Sequence, residues 1–118
     1  MEKVIWSEVP QEQVNPKMKR KFIYGKEIML SKMEFEDGFE VPWHTHVNEQ
    51  VTEVIEGTIR FWFDYDEEHF VEVHAGEALV IPSNRPHKAL MVGKVIEWDI
   101  FAPPRQDWID GTDDYLKK

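Results

Sequence analysis

The residues with the clearest capacity for chemistry lie together in "VPWHTHVNEQ", Val41 to Gln50. Of five histidines in the chain, two stand here one residue apart, as His44 and His46. Successive side chains of a strand point to opposite faces, so an extended run puts Pro42, His44 and His46 on one side. Val41, Trp43 and Thr45 then share the other side. Two imidazoles on one face at this spacing can converge on a metal ion. Glu49 and Gln50 follow past the next turn and are candidates for a third ligand. His87 opens the segment after "IPSNRP" and is the candidate fourth. With no cysteine in the chain, any metal is held by nitrogen and oxygen, and no disulfide framework exists. His69 and His74 read as polar surface.

Such ligands need a scaffold, and the chain supplies strands. From Arg20 onward, strand-sized apolar segments recur at short intervals, bounded by turn residues: stops fall at Gly25, Gly38, Gly57, Gly76, Pro82 and Gly93. That rhythm predicts an all-β antiparallel sandwich or small barrel. A short strand is predicted near Lys3 to Glu8, with a loop after it. The last residues read as a single helical turn or an irregular tail. At 118 residues the expectation is one domain over 1–118, its barrel spanning about 20–102.

Composition narrows the class. The 42% hydrophobic and 13% aromatic content suits a packed interior. A net charge of −9 works against nucleic-acid binding. No apolar run reaches the ~20 residues that span a bilayer, and none near the start has signal-peptide form. A cytoplasmic location without membrane partners is therefore expected. The acidic blocks "DYDEEH" (Asp64 to His69) and "DWIDGTDDY" (Asp107 to Tyr115) read first as solvated loop or tail.

The spacing of the candidate ligands resembles the cupin superfamily. Gly38, His44, His46, Gln50 and Gly57, at intervals of five, one, three and six residues, match its first motif, with Gln in place of Glu. Gly76, Pro82 and His87 match the second, with Asn84 for its second Gly and Met91 for its final Asn. The resemblance implies a cupin-type β-sandwich, jelly-roll-like, holding one divalent metal on His44, His46, Gln50 and His87. The motif count passes over Glu49. Neutral ligands alone leave the charge of the metal uncompensated, which suits an anionic or chelating molecule. Zinc, nickel, iron, manganese and copper all remain open, since imidazole and amide donors do not choose among them. Asn84 tolerates the left-handed backbone that its position requires of the motif glycine.

The end of the chain narrows the resemblance. "VIEWDIFAPPRQDW", Val95 to Trp108, is similar to the last strand of small pectin-degradation cupins, through Asp99, Phe101, Pro103, Arg105, Asp107 and Trp108. "NEQ" and "IPSNRPH" also resemble that group. Those proteins convert 4,5-unsaturated monouronates from pectin or alginate to linear keto sugar acids. The resemblance implies Asp99 as general acid/base and Arg105 as a fork for the sugar carboxylate. Phe101, Trp43 and Trp62 become candidate walls for a sugar ring. Alternation by itself puts Ile96, Trp98 and Ile100 on the core and turns Asp99 to water; the resemblance turns Asp99 to the cavity. Other functions open at this point are a metal-dependent dioxygenase, a polyketide-cyclase type and a non-catalytic sugar or anion binder. A homodimer through edge strands is expected, because pairing removes exposed edges.

Overall fold

Each alternating run buries one side chain in two, and such faces are stable only against one another. In the computed structural model, which describes residues 2–117, they do so as antiparallel strands. These are β1 (Glu12–Asn15), β2 (Met18–Tyr24), β3 (Met29–Phe35), β4 (Glu40–His44), β5 (Glu49–Phe63), β6 (Val71–His74), β7 (Ala78–Ile81) and β8 (His87–Ala102). They run β1-β2-β3-β8-β5-β6, with β4 against β8 and β7 against β5. The all-β architecture predicted from the sequence is the one observed. Met29, Met33, Phe35, Val54, Ile59 and Val95 are among the buried apolar residues of its core. No helix among the described residues is long and apolar enough to cross a membrane.

Two strands hold both layers. The sequence predicts stops at Gly57 and Gly93, yet β5 and β8 run through them. The first part of β5, Gln50 to Glu53, pairs with the second part of β8 and with β7. Its second part, Thr58 to Phe61, pairs with the first part of β8 and with β6. The register slips between Val54 and Thr58, where the strand passes from one layer to the other. Gly57 has φ +84° there, and a Cβ on it would lie 2.2 Å from the Lys94 carbonyl oxygen. The glycine is a crossing point, not a stop.

Strand β8 faces the opposite way from simple periodicity. Val95, Glu97, Asp99 and Phe101 are buried, while Ile100 is 36% exposed. The outward residues find apolar neighbours on the sheet surface instead. Ile23, Leu30, Ile100, Val51 and Val80 form one cross-strand row over β2, β3, β8, β5 and β7.

Both ends of the chain differ from expectation. Lys3 to Glu8 is no strand: Trp6–Glu8 is a 3-10 turn whose Trp6 ring lies 5.2 Å from that of Trp98. The block Asp107 to Tyr115 is not a solvated tail. It contains helices α1 (Gln106–Asp110) and α2 (Asp114–Lys117), with Trp108 and Leu116 buried. Asp113 accepts a 2.6 Å bond from Arg20, and both side chains are essentially inaccessible. Asn15 Nδ2 donates to the Leu116 carbonyl at 2.7 Å. By contrast, Asp64 to His69 is an exposed turn, as read.

The crossing at Gly57 can be tested against Gly76, which has a similar φ of +87° and open space around it. Gly76→Ala carries only backbone strain, about 1–2 kcal/mol. Gly57→Ala adds a clash with backbone and is expected to cost at least about 3 kcal/mol. Urea unfolding of both variants checks this; equal losses would contradict it.

Candidate metal centre

The site begins with a break in pairing. Val41 lies opposite Ala89 and His44 opposite His87, so three steps on β4 match two on β8. Pro42 sits in this bulge, where its missing N–H removes no ladder bond. The extra residue flips the parity: Val41 and His44 line the same interior, although alternation alone puts them on opposite faces. Trp43 is turned outward, where its Nε1 donates to Glu67 at 2.8 Å and its ring packs on Tyr65.

Backbone carbonyls then fix the imidazoles. His44 Nδ1 lies 2.8 Å from the Pro42 oxygen, His46 Nδ1 2.9 Å from Asn48 and His87 Nδ1 2.8 Å from Arg85. A carbonyl only accepts, so each Nδ1 carries the proton and each neutral ring keeps a bare lone pair on Nε2. Nitrogens of His44, His46 and His87 all lie within 4.8 Å of one another, which positions the three to bind a metal ion. Burial, first among the causes, pulls His44 down to about 3 and His46 to about 4, and lowers His87. The rings are therefore neutral at neutral pH, the form a metal needs.

Gln50 lies beside the three imidazoles. Its Nε2 donates to Thr52 Oγ1 at 2.8 Å and to Asp99 Oδ1 at 3.3 Å. Those bonds turn Oε1 towards His46 Nε2, 3.1 Å away. Both atoms carry lone pairs and neither a proton, so the contact repels unless a cation lies between them. This is the arrangement that a resident metal ion fits. Glu49, the other candidate, is exposed.

Behind Gln50 lies a buried carboxyl pair. Asp99 also accepts from Thr52 Oγ1 at 2.5 Å, and burial pushes it up to about 6. Glu97 is raised well above its usual range by burial and by the Asp99 charge, and its Oε2 has no hydrogen-bond partner among the described residues. Two carboxylates this close in a dry interior do not both ionise. Asp99 lines the small inner chamber beside Gln50 and His87.

The remaining candidates divide. Arg105 is 3% exposed and borders the cavity. Its fork, predicted for a ligand, is taken: Nε and Nη2 donate to Asp107 at 2.9 and 2.8 Å, and Nη2 to the Tyr115 hydroxyl at 2.6 Å. Nη1 has no partner among the described residues. Phe101 meets the His46 ring edge-on at 5.7 Å and Trp108 at 5.0 Å, so it supports a ligand from inside the core. Trp43 and Trp62 do not wall the cavity. Lys88 lies over both rings, on the outward side of β4 and β5.

Sequence reasoning missed two residues here. Asn48 Nδ2 donates to the Pro103 and Pro104 carbonyls and its backbone carbonyl accepts from His46 Nδ1, which ties that ring to the Arg105 segment. Tyr115 stacks on His44 at 5.1 Å and 25°. No periodicity marks Tyr115, because it arrives on a short helix after an acidic run. In front of the site lies an open basin of about 650 Å³, with His44, His46, Arg105 and Tyr115 on its wall.

Three imidazoles positioned to bind a metal ion, inside a β-sandwich of this order, have the form of a cupin site. The chain belongs to the cupin domain family, whose match spans residues 31–97. KdgF from Halomonas sp. superposes with a TM-score of 0.77 at 24% identity, over 88% of this chain and 96% of that one. An RmlC-like cupin from Shewanella frigidimarina gives 0.79 at 26% identity, over 89% and 93%. Oxalate decarboxylase from Bacillus subtilis, which has Mn(II) centres, gives 0.72 at 16% over 82% of this chain and 28% of that one. No curated protein matches the chain.

The carboxyl pair has a pH signature. With a folded pKa raised above the unfolded value of 4.5, Glu97 contributes stability below that pH and loses it as pH rises. Glu97→Gln mimics the protonated acid and removes this loss. The melting temperature of the variant relative to the unaltered protein should therefore climb from pH 5 to pH 8. A difference that stays flat would show that Glu97 ionises freely in the fold.

Proposed function

We propose that this cupin is a metal-dependent isomerase that opens the ring of 4,5-unsaturated monouronates, giving linear keto sugar acids. One observation carries the reading. A buried carboxyl, Asp99, held near neutrality and bonded to Gln50, stands behind three imidazoles in a site with no anionic ligand. The likeness to KdgF from Halomonas sp. supports it at the level of fold.

His44, His46, Gln50 and His87 are the proposed ligands. The bound ion supplies Lewis acidity and a docking point for the carboxylate of the sugar. Arg105 offers Nη1 to that carboxylate, while its pairing with Asp107 keeps the guanidinium in place. The reaction is an isomerisation. The anomeric hydroxyl loses a proton and becomes an aldehyde as the bond between the anomeric carbon and the ring oxygen breaks; the ring oxygen leaves as an enolate, which becomes a ketone as the far alkene carbon gains a proton. Asp99, with a pKa of about 6, is suited to accept the first proton and deliver the second. Phe101 keeps His46 upright and water out.

Protein loaded with zinc or nickel should hold one equivalent of metal, absent from a His44→Ala, His87→Ala double variant. It should accelerate loss of the ultraviolet absorbance of lyase-generated unsaturated uronates above their spontaneous opening. Asp99→Asn should retain the metal and lose turnover by roughly 10²–10⁴-fold. No acceleration with several uronates would leave a non-catalytic sugar-acid binder.

The expected homodimer has a candidate face, the row Ile23, Leu30, Ile100, Val51 and Val80, of which Val80 is 59% exposed. Light scattering at micromolar concentration should give twice the chain mass, and Ile100→Lys should give monomer. A monomeric unaltered chain would contradict this.

A further inference from the structure

The space around the metal centre is divided in two. In front is the open basin, and behind is a small chamber of about 50 Å³ that contains Gln50, His87, Asp99 and Glu97. Among the described residues, His44, Arg105 and Tyr115 alone border both. Tyr115 thus stands at the passage between the basin, where a sugar acid enters, and the chamber that holds the proton carrier. Its ring is fixed by stacking on His44. Its hydroxyl accepts from Arg105 Nη2 at 2.6 Å, and among the described residues its own hydrogen has no acceptor.

The placement of Tyr115 is not incidental to a loose tail. Asp113 locks α2 to the barrel through buried Arg20, and Asn15 holds the Leu116 carbonyl. The hydroxyl is therefore a fixed donor, polarised by a guanidinium, at the edge of the site. A hydroxyl so placed needs an acceptor oxygen, and an anionic ligand of the metal brings one.

We propose that Tyr115 is a substrate-binding residue, donating from its hydroxyl to an oxygen of the bound sugar acid beside Arg105. This rests on the sugar-acid reading of the site. It adds the C-terminal helix to the binding machinery: Arg105 supplies charge and Tyr115 supplies direction. Neutral sugars, which lack the carboxylate, gain neither.

The test uses zinc-loaded full chain and D-galacturonate, a stable saturated sugar acid, by titration calorimetry, with D-galactose as the uncharged control. Tyr115→Phe keeps the ring on His44 and should leave zinc content and melting temperature unchanged. It should weaken galacturonate binding roughly tenfold, the worth of one hydrogen bond to a charged group. Tyr115→Leu removes the ring as well, and most of its loss should already be present in the Phe variant. Binding by Tyr115→Phe equal to that of the unaltered protein, with loss only in the Leu variant, makes Tyr115 a packing residue and overturns the proposal alone. Failure of the unaltered zinc protein to prefer galacturonate over galactose overturns it together with the sugar-acid reading.

Discussion

Hydrogen bonds between His44, His46 and His87 and the carbonyls of Pro42, Asn48 and Arg85 govern the rest of the site. Each fixes a tautomer and the plane of a ring at once, and so points an Nε2 lone pair inward. Every accepting carbonyl lies two residues away in sequence, so local backbone shape sets the aim of each ring. That shape in turn depends on tertiary contacts. The Asn84 N–H bonds the His46 carbonyl at 2.8 Å, and Asn84 adopts the left-handed φ of 62° that makes this bond possible. Ser83 Oγ donates to the Val47 carbonyl across the same gap.

A second demand follows from burying so much polarity. Gln50, Thr52, Asp99 and Glu97 lie inside the sandwich, where an unmatched polar group costs several times what a matched one returns. Thr52 is the hinge of this group: it accepts from Gln50 and donates to Asp99, which leaves the amide oxygen free for the cavity. The unmatched Glu97 oxygen is tolerable because a neutral acid is far cheaper to bury than an anion. The polar interior also explains why Ile96, Trp98 and Ile100 of β8 face away from it.

The C-terminal segment closes the open end of this interior. A buried Arg20–Asp113 pair contributes little net stability, since desolvation offsets its attraction. It does specify where the segment goes. Arg20 also packs over the Trp108 ring at 4.5 Å, and Arg105 over the same ring at 4.8 Å. Two guanidiniums thus share one indole, and each meets an aspartate from the segment that composition marks as solvent-facing.

The sequence by itself determined most of the strands, the sandwich and the three histidines positioned to hold a metal ion. Turn residues and period-two burial are local, and the motif spacing of His44, His46, Gln50 and His87 follows from a hairpin of fixed length. Three things only the tertiary structure decided. The bulge at Pro42 set which side Trp43 faces, because parity past a bulge depends on pairing with β8 and not on the β4 sequence. The side of β8 that faces inward followed from a cavity whose walls come from other strands. The fate of the acidic tail turned on Arg20 and Asn15, roughly a hundred residues away in sequence, since a charge is solvated or buried according to the partner it meets.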